Sequence, residues 1–396
     1  MEVGRDECHK RGVHVYNRLR MPVTFRSFAK INLGLCIGAL RPDGFHDLRT
    51  VYQTIALHDV IRVEVKRGTG IEIRCEDPNV PRDASNTCYR VAERVMAALN
   101  ARGRVVIEIE KRLPVQGGLG GASANAVAAM LALERALKKG LAGPERLRIA
   151  ADVGSDLPLF LIGGTVLGVG RGEEVYPLPD LPASLCVVAT PEVRVSTPKA
   201  FADWDLMRAG SSQGLKPLSL GEPFGTAQAV PFPDFGTAEG GRRHVDRAAA
   251  KLTGLSPSDR MFEVGRAMAA WLSGGSSHCK TQGKAKTGKI LSGVPASGRG
   301  RAESPLLDLV RTGIENDFEQ VVFPQYPELR EVKRVLLRAG AIFASLSGSG
   351  SALFGLFGSR AAAERAVRDL RQRKIPALTT TTLTRRQYWR RLQISD

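Results

Sequence analysis

The chain has 396 residues, 43% apolar and 24% charged, which excludes wholesale disorder and is too long for one small core, so two domains of ordinary size are expected. No apolar run reaches the roughly eighteen residues that a membrane-spanning helix needs. The formal charge of +17 admits nucleic acid, a membrane surface or anionic small molecules as partners, but aromatic residues are only 6% and do not interleave with the basic ones, which argues against a single-strand nucleic-acid binder.

Residues 1–20, MEVGRDECHKRGVHVYNRLR, are basic and lack the apolar centre of a secretory signal; a disordered tail is expected there. Residues 22–76 read as short strands, with VTFRSFAKINLGLCIGAL partly alternating and VIRVEVKRGTGIEIRC reading as a hairpin around Gly68 and Gly70. Asp83 to Asn86 offer caps for a helix over TCYRVAERVMAALNA, and VVIEIEKRL alternates as a strand. A helix rich in Ala and Leu is predicted over Ser123–Lys138, ended by Gly140, and a second over PERLRIAADVG with Pro144 in its first turn. LPLFLIGGTVLGVG reads as a buried strand pair and LCVVATPEV as another strand.

After Trp204 the character changes. From about Ala209 to Gly300 the chain is rich in Gly, Ser and Pro and reads as a flexible insertion, with one helix expected at Met261–Leu272. Between Met207 and Ser304, fourteen Lys and Arg stand against seven Asp and Glu. That excess and the basic stretch Arg385–Arg391 read as solvated surface. Order resumes at SPLLDLVRTGIENDFEQVV, and helices and short strands then alternate to ALTTTTLT, giving the C-terminal part α+β character. The six cysteines are scattered and form no CxxC pair. Neither a zinc site nor a disulfide framework is signalled, and reduced thiols in a cytoplasmic protein are expected.

The chemistry gathers at PVQGGLGGASA, Pro114–Ala124. A phosphate chain needs several backbone N–H groups converging on it, and glycines permit that approach. Gly117, Gly118, Gly120 and Gly121 lie between a predicted strand and a predicted helix whose N-terminal end adds partial positive charge. Neither GxxxxGK[ST] nor GxGxxG is present there. A tight structural turn is the competing reading, and Ser123 and Asn125 could serve Mg²⁺, phosphate or a helix cap. SLSGSGSALF and IGGTVLGVG are two further glycine-lined segments, and three together point to a shared anionic ligand. Period-two alternation puts Lys30 and Asn32 on one side of a strand. Asp156 precedes an apolar run, where a carboxylate is either functional or a local turn former.

These pieces resemble the GHMP kinase superfamily, which includes galactokinase, homoserine kinase, mevalonate kinase and phosphomevalonate kinase. They are most similar to the branch that phosphorylates 4-diphosphocytidyl-2-C-methyl-D-erythritol in the non-mevalonate isoprenoid pathway. The resemblance runs from about Phe28 to Phe201 and from Asn316 to about Thr384, carried by FAKINLGLCIGALRPDGFHDLRTVYQTIAL, KRLPVQGGLGGASANA, GSDLPLFLIGGTVLGVGRGE, VSTPKAF and SLSGSGSALF. It implies an α+β fold of two domains. Residues 21–190 would be an ATP-binding domain like the second domain of ribosomal protein S5, and residues 191–396 a ferredoxin-like domain carrying the insertion. It implies transfer of the γ-phosphoryl group from ATP, with Mg²⁺, to a substrate hydroxyl.

Carried over by position, Asp156 matches the catalytic base and Lys30 the catalytic lysine beside it. Pro114, Val115, Gln116, Gly117, Gly118, Leu119, Gly120, Gly121, Ala122, Ser123 and Ala124 match the ATP loop, with Ser123 a candidate for the metal. His46 matches the residue that hydrogen-bonds the cytosine. Phe45 replaces a tyrosine that stacks on it. Asn32, Thr197, Pro198, Gly348 and Gly350 match substrate-side positions. The family loop commonly reads GGGLGGGSS, so Gln116, Ala122 and Ala124 are departures here. Ala122 requires a negative φ, and Ala124 removes a hydroxyl. Two alternatives follow: a GHMP kinase for another alcohol such as homoserine or mevalonate, which gives Phe45 and His46 no base to hold, and a basic RNA-binding protein, which leaves Lys30 and Asp156 without a role.

Overall fold

The computed structural model describes residues 21–115, 117–212 and 315–394. The expected tail 1–20, Gln116, the insertion from residue 213 on and the helix at Met261–Leu272 lie outside the described residues. Among the described residues two sheets organise the fold, and the architecture is α+β.

The first strands are longer than the sequence reading allows. β1 (Val23–Leu40) and β2 (His46–Lys66) form one antiparallel ribbon whose register slips between Phe28 and Lys30 and between Asn32 and Gly34. Such bulges break the alternation on which the short-strand reading rested, and they bend the strand instead of ending it. β1 thereby feeds three cores: Phe25 and Phe28 enter one, Ala29, Ile31 and Leu33 a second, Leu35 and Ile37 a third.

The expected hairpin at Gly68 and Gly70 is also corrected. β3 (Ile71–Cys75) does not pair with β2. Instead β4 (Arg104–Glu110) inserts between them, antiparallel to β2 and parallel to β3. A parallel pair needs a crossover, which α1 (Thr87–Ala98) supplies, capped by Asn86 accepting from the Cys88 N–H at 2.8 Å.

α2 (Gly121–Leu137) begins two residues earlier than predicted and stops at Lys138, itself left-handed, ahead of Gly140. α3 (Gly143–Val153) follows, with Pro144 in its first turn. LPLFLI is not a strand but α4 (Leu157–Ile162), and only the following residues form β5 (Thr165–Val169), which pairs with β2 and with β6 (Glu174–Pro177). An unbroken apolar run carries no period, and Pro158 in the first turn favours the helix.

The second sheet, in order β10-β7-β9-β8, is wholly antiparallel: β7 (Leu185–Ala189), β8 (Ala341–Leu346), β9 (Leu353–Phe357) and β10 (Ala377–Thr381). The expected domain boundary at residue 190 falls directly after β7. Period-two alternation shares β7 between two cores. Val187 and Ala189 face the core that holds Leu336 of α7 (Pro327–Arg338) and Ala366 of α8 (Arg360–Gln372), while Cys186 and Val188 pack with Ile31 and Leu33 of β1. α5 (Thr197–Ser212) and α6 (Glu319–Gln325) pack together through Trp204 and Val322 in the first of these cores.

The basic stretch Arg385–Arg391 is more than solvated surface. It forms α9 (Arg385–Leu392), whose Tyr388 hydroxyl donates to Phe160 O at 2.7 Å and whose Trp389 indole donates to Ile162 O at 2.9 Å. β11 (Gln393–Ile394) then pairs with β1. The end of the described chain thus clamps α4, the helix that carries Asp156 at its start.

Candidate active site

Lys30 and Asn32 lie between the first two of the three register slips of β1, and period-two alternation over that stretch puts both side chains on one side. The Lys30 ammonium donates to Asn32 Oδ1 at 2.7 Å, Asn32 Nδ2 to Thr50 Oγ1 at 2.7 Å, and Thr50 Oγ1 to Gly34 O at 2.8 Å. This chain of donors fixes a lysine that is only 4% exposed. Asp156 stands at the start of α4, yet its carboxylate caps no backbone N–H there. One oxygen faces Lys30 Nζ at 3.5 Å and the other accepts from the Tyr52 hydroxyl at 3.0 Å. Asp156 does sit in a local turn, closed by the Leu157 N–H on Gly154 O at 3.2 Å, but its carboxylate points to Lys30 and Tyr52 and caps no N–H of the helix. Burial pushes the Tyr52 phenol well above its ordinary pKa, and the neighbouring Asp156 charge adds to this, so the group stays a donor.

The glycine loop reaches the same lysine from the other side. Leu119 O accepts from the Lys30 N–H at 2.9 Å, Gly117 O from the Ala352 N–H at 3.1 Å, and Gly118 O from the Ser347 hydroxyl at 3.0 Å. Gly118 and Gly120 have φ of +75° and +70°. A Cβ on Gly118 would collide with Ser347 O, and one on Gly120 would lie 2.9 Å from Lys30 Cγ. Here glycine is required both by conformation and by space.

The loop walls a cavity of about 390 Å³ between Gly117–Ser123 and the segment Asn79–Thr87 that enters α1. Pro114, Val115 and Lys111 line it too. The first N–H groups of α2 have no partner within the helix and stand at this wall, the arrangement that favours an anion. Ala122 sits in the first turn of α2 and is not among the described non-glycine residues with positive φ, so it meets its backbone condition. Ser123 lines the cavity. Ala124 does not: it is buried in the first core, so the hydroxyl absent there is not absent from the cavity wall.

The turn between β8 and β9 roofs the lysine. Gly348 has φ of +60°, and a Cβ there would lie 3.6 Å from Lys30 Nζ and 3.7 Å from Asn32 Oδ1. Gly350 sits against Leu346 within that turn. Thr197, followed by Pro198 at the start of α5, places its hydroxyl 2.6 Å from that of Ser349. Sequence reasoning missed Asn316, which is 1% exposed and donates to Leu346 O and Gly348 O at 2.9 and 2.7 Å, holding the turn in place.

His46, at the start of β2, lies 2.8 Å from Asp205 and stacks on Phe201 with ring centroids 4.9 Å apart and planes at 10°. Phe45 turns elsewhere. It is half exposed, with the Arg171 guanidinium 5.0 Å from its ring centroid.

The third glycine segment does not line the cavity walled by the first, and its glycines face packed side chains. A Cβ on Gly163 would strike the Tyr388 ring, on Gly164 the Asp180 carboxylate, and on Gly168 and Gly172 the Tyr52 side chain. Its glycines make room for packed side chains. Among the described residues no group of three or more His, Cys, Asp and Glu could hold a metal ion, and no helix is long and apolar enough to cross a membrane.

Comparison with known proteins matches this arrangement. The GHMP kinase N-terminal domain model covers residues 86–164 and the C-terminal model residues 302–376. A 4-diphosphocytidyl-2-C-methyl-D-erythritol kinase of Solibacter usitatus is 34% identical over 92% of this chain and 91% of its own length. One of Desulfitobacterium hafniense is 30% identical over 93% and 98%. A crystal structure of 4-(cytidine 5'-diphospho)-2C-methyl-D-erythritol kinase superposes with a TM-score of 0.58 at 26% identity, over 91% of this chain and 98% of that one. Homoserine kinase from Cytophaga hutchinsonii shares the fold at 18% identity and a TM-score of 0.58. With the fold, the ordered motifs and full-length relatives in agreement, the chain belongs to the GHMP kinases, ATP-dependent small-molecule kinases, and among them to the 4-diphosphocytidyl-2-C-methyl-D-erythritol kinase family.

Proposed function

We propose that this chain transfers the γ-phosphoryl group of ATP to the 2-hydroxyl of 4-diphosphocytidyl-2-C-methyl-D-erythritol. The observation that carries this reading is the Lys30–Asp156 pair, 3.5 Å apart, with the glycine loop on one side and the Gly348 turn on the other. Asp156 takes the hydroxyl proton as the substrate oxygen attacks the γ-phosphorus. The bond from that phosphorus to the bridging oxygen breaks, ADP leaves, and the proton passes from Asp156 to water. Lys30, anchored on Asn32, places its positive charge where the attacking oxygen becomes negative.

Positioning and charge neutralisation do most of the work in such a transfer. The residues from Pro114 to Ala124, chiefly Gly117–Ser123, would hold the triphosphate, with the nucleoside in the cavity against Asn79–Thr87. Mg²⁺ draws most of its ligands from phosphate oxygens and water, and one protein hydroxyl beside the loop fits that habit; of the hydroxyls lining the cavity, those of Ser85 and Thr87 donate to Asp83 and to Ala122 O. Ser123 is the residue that would hold it, and the ion would neutralise charge on the phosphates. The faces of His46, Phe201 and Phe45 suit a flat nucleobase. Asn32, Thr197, Pro198, Gly348 and Gly350 border the acceptor. A cytoplasmic location agrees with Cys75, Cys88 and Cys186, buried thiols that form no disulfide among the described residues.

The test is ADP release by the full chain with Mg-ATP and each alcohol in turn. Turnover is expected with the cytidyl substrate, and Asp156→Asn is expected to lower kcat by about 10²- to 10⁴-fold. Activity on homoserine or mevalonate with none on the cytidyl substrate would overturn the substrate. Salt-sensitive RNA binding without any ADP release would favour the RNA-binding alternative.

A further inference from the structure

We infer that Tyr52 is a positioning residue for Asp156, and that the glycines at 168 and 172 serve to seat it; this inference rests on the kinase reading above. Tyr52 lies directly across the ribbon from Asn32 and across from Val166 of β5. It is 2% exposed. Its hydroxyl donates to one oxygen of Asp156 at 3.0 Å while the other oxygen faces Lys30 at 3.5 Å. The two oxygens are thus divided between a neutral donor from β2 and a cation from β1. That division fixes the rotation of the carboxylate and reserves one oxygen for the substrate proton.

Packing alone does not account for the hydroxyl. A phenylalanine would fill the same ring volume, and a buried hydroxyl is costly unless it finds a partner. Here the partner is the carboxylate. The surroundings are cut to fit this side chain: a Cβ on Gly168 would lie 2.5 Å from Tyr52 Cε2, and one on Gly172, where φ is +102°, 2.6 Å from the phenol oxygen. The Lys30 ammonium lies 5.6 Å from the ring centroid. The charged groups around the phenol are therefore Asp156 before α4, Lys30 on β1 and Glu173 after β5, and burial with the two carboxylates holds it in its neutral, donating form. The glycine segment that looked like a phosphate loop acts on the reaction at one remove, through the tyrosine it accommodates.

The experiment is steady-state kinetics of full-length Tyr52→Phe against pH, with Mg-ATP and the cytidyl substrate, beside a thermal melt. A hydrogen bond to a charged group is worth roughly a factor of 10 to 100. A kcat loss of that order is expected, with both KM values within about twofold and the acid limb of kcat/KM moved to higher pH, because a carboxylate that loses a donor holds its proton more tightly. An unchanged kcat and acid limb would overturn the inference, as would a change confined to KM. Gly168→Ala gives a second reading that keeps the hydroxyl. Its kcat loss should largely vanish in the Tyr52→Phe background, and an undiminished loss there would overturn the seating role. A wild-type chain that fails to turn over the cytidyl substrate breaks the kinase reading itself. A competent wild type with an indifferent Tyr52→Phe breaks this inference alone.

Discussion

Around Lys30 the site is closed, and around Phe45 it is open. Lys30, Asn32, Thr50 and Tyr52 are each buried: hydrogen bonds join Gly34 O, Thr50, Asn32 and Lys30, the Lys30–Asp156 ion pair follows at 3.5 Å, and the Tyr52 hydroxyl donates to Asp156. Phe45 and Asp205 are each about half exposed. The groups that would move a proton and face developing charge are held before any substrate arrives, where fixed dipoles are worth most. At the recognition end Phe45 is left partly in water, where an aromatic face can adjust cheaply and bury its area on binding, while His46 is buried and stacked on Phe201. The site is thus rigid where timing of charge matters and yielding where shape must be tested.

The largest effect that sharpens this contrast is expected from Lys30→Met. It should lower kcat by about 10²- to 10⁴-fold with little change in either KM. Steady-state assays check this, and a loss confined to KM would break the picture of a rigid chemical end. An intermediate effect is expected from Gly118→Ala. The substitution puts a side chain at φ of +75° and against Ser347 O, a strain of about 1–3 kcal/mol. ATP affinity, measured by calorimetry, should fall by roughly 10- to 100-fold while the KM for the acceptor stays close to its wild-type value. The smallest effect belongs to the open end. Asp205→Asn alters the contact of a half-exposed carboxylate to His46, so the acceptor KM should rise by no more than about threefold. A larger change than that of Gly118→Ala would place real rigidity at the recognition end.

Parts of this arrangement are legible in the residues and parts are not. The Lys30–Asn32 side follows from period-two alternation, and the cap at Asn86 from the residue itself. The glycine loop is visible as a strand–loop–helix junction, while Asp156 stands out only as a carboxylate ahead of an apolar run and takes a role through the family resemblance. What alternation could not reveal is what bulges and packing decide. Tyr52 and Thr50 lie in a buried strand and read as core. Asn316 donates to two carbonyls of a turn some thirty residues away. LPLFLI reads equally as strand or helix because every position is apolar. Glycines are ambiguous in the same way. At 118 and 120 they give a loop its shape, and at 163, 168 and 172 they yield space to a tyrosine, and only the neighbour tells the two apart.

The seam between the glycine loop and the β8–β9 turn has a mechanical consequence. Gly117 and Gly118 are tied to Ala352 and Ser347, and the same turn lies over Lys30. The loop and the turn are thereby riveted into one bracket beside Lys30, so the two walls that would flank the transferred phosphoryl group are tied to each other. Any closure that expels water before transfer is left to the outer rim, where α5 carries Phe201 and Asp205 past His46.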